Sequence, residues 1–353
     1  MSVKYNLYGT AIGSLPQSDS AKAVEVILNN IPNAPIWPQL PALGMNEQME
    51  VQYSEHMPGA TIDREKERLY IATNSNEAMM EMGTDWFMAI EANDTEYFKI
   101  SEEFSKGFYA MKDVLSKKSE KLPFVKVQVT GPCSFSLTIV DENKRAVYYN
   151  EMFRDVVVKT IAMKAKWQIQ QYKNFADNVI CFIDEPILSA FGSSTYVSVQ
   201  REDVVNMLKE VIAAVHEEGA IAGIHCCGNT EWSILVDAGV DIINFDAFDF
   251  GETIFLYNDH IKTHLERGGC LAWGIVPTNS EKLAGVESDD LIVKWDALVE
   301  ELSAKTGISK EKIYAQSLIT PSCGTGSLPV ADAEKAFRLD GEVSEKLRAR
   351  AGF

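Results

Sequence analysis

Short runs of β-branched and aromatic residues recur along the chain and alternate with longer stretches whose apolar residues fall at helical spacing. This is the pattern of repeated βα units joined in a parallel sheet. Eight runs are readable, at 8–13, 86–90, 125–130, 179–184, 221–226, 242–246, 271–276 and 313–319. Several, such as Val179-Ile180-Cys181-Phe182-Ile183, are apolar almost throughout, as a strand covered on both faces must be. Helical spacing runs through 64–82, 96–115, 146–175, 202–218 and 289–304. Eight alternating units predict an α/β fold of the (β/α)8 TIM-barrel type.

No Ser/Gly-rich linker and no internal repeat interrupts the pattern. Residues 1–353 are therefore read as one barrel domain, a length this fold accommodates. One stretch departs from it. Residues 32–60 carry Pro32, Pro35, Pro38, Pro41 and Pro58 and are read as an N-terminal insertion over the barrel mouth. A connection of this length is a lid or binding loop, or else a surface excursion that covers the barrel or meets another subunit.

Composition narrows the class. With 46% hydrophobic and 24% charged residues the chain is an ordinary globular protein with ample core. A formal net charge of −18 argues against a nucleic-acid partner, which needs a basic surface to displace counterions from phosphates. The start, Met1-Ser2-Val3-Lys4-Tyr5-Asn6, has no basic region followed by an apolar one, and no run approaches the ~20 apolar residues that span a bilayer. A cytoplasmic protein without a membrane partner is expected. Six cysteines in so long a chain are not a disulfide framework. Cys181, Cys226 and Cys270 read as small buried hydrophobes. Cys133 lies at a strand end and is either core or part of a site.

Polar and turn-forming residues gather where each run ends, and in a barrel these C-terminal strand ends build the active site. Their concentration favours an enzyme over a scaffold. The most informative ending is Gly223-Ile224-His225-Cys226-Cys227-Gly228-Asn229. Side chains two apart on a strand share a face, so His225 and Cys227 offer paired soft ligands suited to zinc while Cys226 points away. Cys323, in Pro321-Ser322-Cys323-Gly324, supplies a third ligand if the fold brings the two endings together. Three protein ligands and an open position describe catalytic zinc.

The segments Ile12-Gly13-Ser14-Leu15-Pro16-Gln17, Val129-Thr130-Gly131-Pro132, Ile183-Asp184-Glu185-Pro186, His225-x-Cys227 and Pro321-Ser322-Cys323-Gly324 resemble the superfamily of uroporphyrinogen decarboxylase and cobalamin-independent methionine synthase. Within it, the likeness is to the C-terminal catalytic barrel of the synthases, in a single-barrel form, over nearly the whole chain. The resemblance implies zinc held by His225, Cys227, Cys323 and a carboxylate at Asp246, which either ligates the metal or orients His225. It implies an amino-acid thiol, homocysteine, gripped by Ser14, Glu91 and Asp184, with no catalytic group beyond the zinc site. The His225-Cys226-Cys227-Gly228-Asn229 wording is also similar to the corrinoid-linked thiol methyltransferases.

The folate-dependent synthases place a histidine after the seventh strand, where this chain reads Gly274-Ile275-Val276-Pro277-Thr278. The implied methyl donor is therefore a methylcorrinoid carried by a corrinoid protein, whose leaving group needs no proton. Two variants keep the zinc chemistry: a different thiol, such as coenzyme M, or methyltetrahydrofolate as donor. A zinc-stabilised binding protein without catalysis is the non-enzymatic alternative. Uroporphyrinogen decarboxylation is disfavoured, because its polycarboxylate substrate needs basic groups near the first strand and the first arginine is Arg64. Glu185 reads as a solvent or helix-start residue, and Trp232 and Trp273 as packing or as corrinoid contacts at the mouth.

Overall fold

The computed structural model describes residues 3–74 and 77–353. Its centre is a six-stranded parallel sheet in sequential order, formed by β3 (Leu122–Thr130), β4 (Ala176–Asp184), β5 (Ile221–Cys226), β6 (Ile242–Phe245), β7 (Cys270–Val276) and β8 (Ser317–Pro321). Each is an apolar, largely β-branched run, and almost every residue is buried. Helices including Glu151–Tyr172, Arg201–Glu217, Ser288–Thr306 and Val330–Ala351 connect or follow these strands and cover the sheet. Among the described residues, no helix is long and apolar enough to cross a membrane.

Two hydrophobic clusters form. The larger fills the space between sheet and helices. The smaller lies on the opposite sheet face and joins Phe124, Ile180, Phe182 and Leu318 to Tyr5, Ile12 and Ala34 from the N-terminal region. The sheet is thus covered on both faces, which explains why strands such as β4 and β7 are apolar almost throughout, whereas β3 alternates valines with the buried Lys126, Gln128 and Thr130.

The structure departs from the eight predicted runs in three places. Residues 8–13 form no regular strand, but they run parallel to β8, with Thr10 N–H donating to Ile319 O at 2.9 Å and Ile319 N–H to Tyr8 O at 3.0 Å. Residues 86–90, expected as a strand, lie in the helix Glu77–Glu91. Trp86 and Ala89 face inward three residues apart, while Phe87 and Met88 are exposed. Ile313 belongs to the helix Lys310–Ala315, so the last strand starts later than expected. The helix expected at 64–82 begins instead as an antiparallel hairpin of β1 (Ala60–Asp63) and β2 (Arg68–Ile71).

The insertion is also corrected in part. Its opening residues do not project from the mouth. They run beside β3, where Lys126 N–H donates to Pro35 O at 2.9 Å, and beside the first segment, where Leu15 N–H donates to Gln39 O at 2.9 Å. Beyond them, short helices at Pro41–Leu43, Met45–Glu47 and Met49–Tyr53 cross the C-terminal strand ends.

Candidate metal and substrate site

At the C-terminal ends of the strands lies a cavity of about 430 Å³. Ser14, Asp184, His225, Cys227 and Cys323 all line it. His225 is the penultimate residue of β5, and the turn after β5 presents Cys227 on the same side. Cys323 follows β8, three strands away. The potential ligand atoms of His225, Cys227 and Cys323 lie within 4.8 Å of one another. A loop contact fixes the Cys323 side: Gly326 N–H donates to Ser14 Oγ at 3.1 Å, and Thr325 N–H to Ser14 O at 2.9 Å. A Cβ on Gly326 would stand 2.8 Å from Ser14 Cβ, so only glycine admits this approach.

The electrostatics suit a cation. A hydrogen bond from Cys323 and one from His225 hold the Cys227 thiol below its ordinary value, and the same contact pushes Cys323 up. Burial works against a proton on His225, yet the contact with Cys227 and the charge of Asp184 raise its pKa on balance. A divalent ion bound here would displace the protons that the three ligands share. Two sulfurs and one imidazole, with space left in a cavity, match the donor preferences and open coordination of catalytic zinc.

The His225 ring is oriented from behind. Its Nδ1 lies 2.5 Å from Asn244 Oδ1, and Asn244 Nδ2 donates to Ala272 O and Thr320 Oγ1, both at 2.9 Å. With both amide hydrogens engaged by acceptors, Oδ1 must be the atom facing the ring, so Nδ1 carries a hydrogen and Nε2 is the nitrogen left to offer a lone pair once a metal displaces the proton it shares with Cys227.

Around this centre the lining is rich in acceptors. Asp184 is buried with Oδ1 unpartnered; burial raises its pKa, while the charges of Lys126 and His225 oppose the rise. Lys126 lies wholly inside the sheet, bonded to Ile12 O and Gln128 Oε1, over the Phe182 ring, and burial lowers its pKa to about 8. Glu47 is a second carboxylate in the lining. It accepts from Lys106 N–H at 2.8 Å and Gln52 Nε2 at 3.3 Å, and burial pushes it up to about 7. Among the described residues, no lysine or arginine lines the cavity.

Two predicted site residues lie elsewhere. Glu91 is exposed at the end of the helix Glu77–Glu91, a consequence of the misread strand. Asp246 stands outside the ligand cluster and caps the helix Ala247–Phe250, accepting from Asp249 N–H at 2.8 Å. Glu47, which the sequence reading missed, sits in the proline-rich stretch, where no periodicity marks it. Glu185 is wholly buried rather than solvated, and its carboxylate accepts from Cys133 N–H, Ser134 N–H and Ser134 Oγ at 2.7–2.9 Å. Cys133, Trp232 and Trp273 are buried and lie outside the lining.

The fold is similar to that of a methyltransferase from Methanosarcina mazei, with a TM-score of 0.52 over 95% of this chain and 94% of that one, at 12% identity. No protein-family profile and no curated protein matches the sequence. At this identity the likeness bears on the fold alone.

Proposed function

We propose that the chain is a zinc-dependent S-methyltransferase that converts homocysteine to methionine with a protein-bound methylcorrinoid as donor. The observation that carries this reading is the His225, Cys227 and Cys323 cluster at a cavity whose other charged groups are carboxylates. Zinc held by those three side chains supplies a Lewis acid that keeps an acceptor thiol ionised near neutral pH, where a free thiol of pKa ~8.5 is mostly protonated.

The chain's own groups do the rest. The unpartnered Asp184 Oδ1 takes a hydrogen bond from the acceptor's ammonium, with Glu47 in the role the resemblance implies for Glu91 and Ser14 Oγ beside them. The apolar wall of Ile12, Pro41, Met49 and Pro186 sheds water from the thiolate. The sulfur attacks the methyl carbon as the carbon–cobalt bond breaks, and its electron pair stays on cobalt. No proton is required, consistent with a seventh strand that ends in Val276-Pro277-Thr278 without an acid. A sulfonate thiol such as coenzyme M fits less well, because among the described residues no lysine or arginine lines the cavity to pair with it.

We read the segments at 8–13 and 33–39 as the first and second strands that close the six-stranded sheet into a (β/α)8 barrel, one domain over the whole chain. We place the enzyme in the cytoplasm. The test is methyl transfer from methylcobalamin to homocysteine by zinc-loaded wild type and Cys323→Ser. Transfer by wild type alone is the expected result. A wild type that binds zinc but transfers nothing to homocysteine from either methylcobalamin or methyltetrahydrofolate would overturn the assigned reaction.

A further inference from the structure

We infer that Asn244 is a positioning residue that couples the two halves of the ligand set, and this rests on the zinc reading above. His225 and Cys227 come from β5 and its turn, whereas Cys323 follows β8, so the three can converge only if four neighbouring strands keep their relative height. Asn244, in the middle of β6 and wholly buried, spans that gap with one side chain. Oδ1 holds His225 on β5, and Nδ2 holds Ala272 O on β7 and Thr320 Oγ1 on β8. Thr320 is three residues before Cys323.

The chemistry of the amide matters as much as its reach. The residues behind metal-ligating histidines are often carboxylates, which draw the Nδ1 hydrogen and push negative charge toward the metal. A neutral amide fixes the same tautomer without that charge. Neither Asp nor Leu, the near isosteres, reproduces the arrangement: aspartate sets a second oxygen against Ala272 O, and leucine leaves three buried polar partners unsatisfied. Asn244 touches neither the cavity nor any group that reacts, so its effect reaches the site only through His225 and the height of β8.

Zinc affinity of the full chain, measured by competition with a chromophoric chelator, tests this in Asn244→Ala and Thr320→Val, with far-ultraviolet circular dichroism as the check on folding. Asn244→Ala should lose about 10–100-fold in affinity, and Thr320→Val should lose less, because Ala272 O still holds the amide. Cobalt(II)-loaded Asn244→Ala should keep its thiolate charge-transfer band, since both sulfurs remain, while its ligand-field bands change as the imidazole loosens. A folded Asn244→Ala with wild-type affinity and a wild-type cobalt spectrum would overturn the inference. If that variant does not fold, Thr320→Val decides by the same two readouts. A wild type that binds no zinc refutes the parent reading, a result distinct from a wild type that binds zinc and is indifferent to Asn244.

Discussion

Asp184 is held between opposed forces, and its behaviour follows from which of them a ligand relieves. Burial disfavours its charge, Lys126 and His225 favour it, and Oδ1 has no partner. An ammonium placed there gains a charge-assisted hydrogen bond worth about 1.5–3 kcal/mol. Asp184→Asn is therefore expected to raise KM for homocysteine by roughly 10–100-fold, with a much smaller change for an amine-free thiol such as 2-mercaptoethanol. Equal effects on the two thiols would remove the assigned role. Asp184 came from the family resemblance, and the structure places it in the cavity lining; Glu47 had no such signal, because the residues around it obey no period and only the folded chain carries it to the cavity. Asp246 shows two readings of one pattern. An aspartate at a strand end is a ligand candidate, but an aspartate opening a helix is also an N-cap, and the observed bond to Asp249 N–H is the cap. Asp246→Asn, which caps as well, should leave zinc affinity unchanged, and a marked loss would put this carboxylate on the metal.

The same competition operates between elements. The six strands from β3 to β8 were readable, with ends displaced by a few residues, because burial on both faces writes nearly continuous apolar runs in most of them and β-branched valines mark β3. Trp86-Phe87-Met88-Ala89-Ile90 imitates such a run but has its buried positions three apart, and the exposure of Phe87 and Met88 is what a sequence reading cannot see. The segment at 33–39 hides in the opposite way: Pro35 and Pro38 lack the donors of a regular ladder, so extended backbone passes for a loop.

Two contacts between elements make measurable claims. A Cβ on Gly131 would stand 2.0 Å from Glu185 Cδ, whose carboxylate caps the helix Pro132–Thr138. Gly131→Ala should cost at least about 1–3 kcal/mol from overpacking, visible as a lower thermal midpoint, and an unchanged midpoint would contradict the geometry. His264 joins the helix Asn258–Glu266 to β7 through Cys270 O at 3.0 Å, and burial lowers its pKa to about 4 from an ordinary 6.5. Below pH 6.5 the unfolded chain takes up a proton that the folded one refuses, so stability falls as pH drops from 6.5 toward 4, by up to about 3 kcal/mol. Denaturant midpoints across that window should be flatter in His264→Phe than in wild type.

At the scale of the molecule, the two ends of the sequence meet at the site. Ser14 directly follows the first segment, which pairs with β8, and the loop after β8 that carries Cys323 folds back onto Ser14 through Gly326 N–H. The helix Val330–Ala351 secures this closure from outside. Ser344 Oγ donates to Leu7 O at 2.8 Å, and the Arg348 guanidinium stacks 3.6 Å above the Tyr8 ring. Its inner face buries Phe337, Leu339, Val343 and Leu347. Each such side chain contributes about 1.5–3 kcal/mol of burial before the entropy of ordering the helix is counted, which is large beside a net domain stability of about 5–15 kcal/mol. The helix is therefore part of the core and not a dispensable tail. A chain ending at Pro329 retains His225, Cys227 and Cys323, yet should neither fold cooperatively nor bind zinc with the full-length affinity. Circular dichroism melts and limited proteolysis would show this. A truncated protein that melts sharply and binds zinc as wild type does would mean that the sheet holds its first segment without help, and that the two ends of the chain contribute to the site independently.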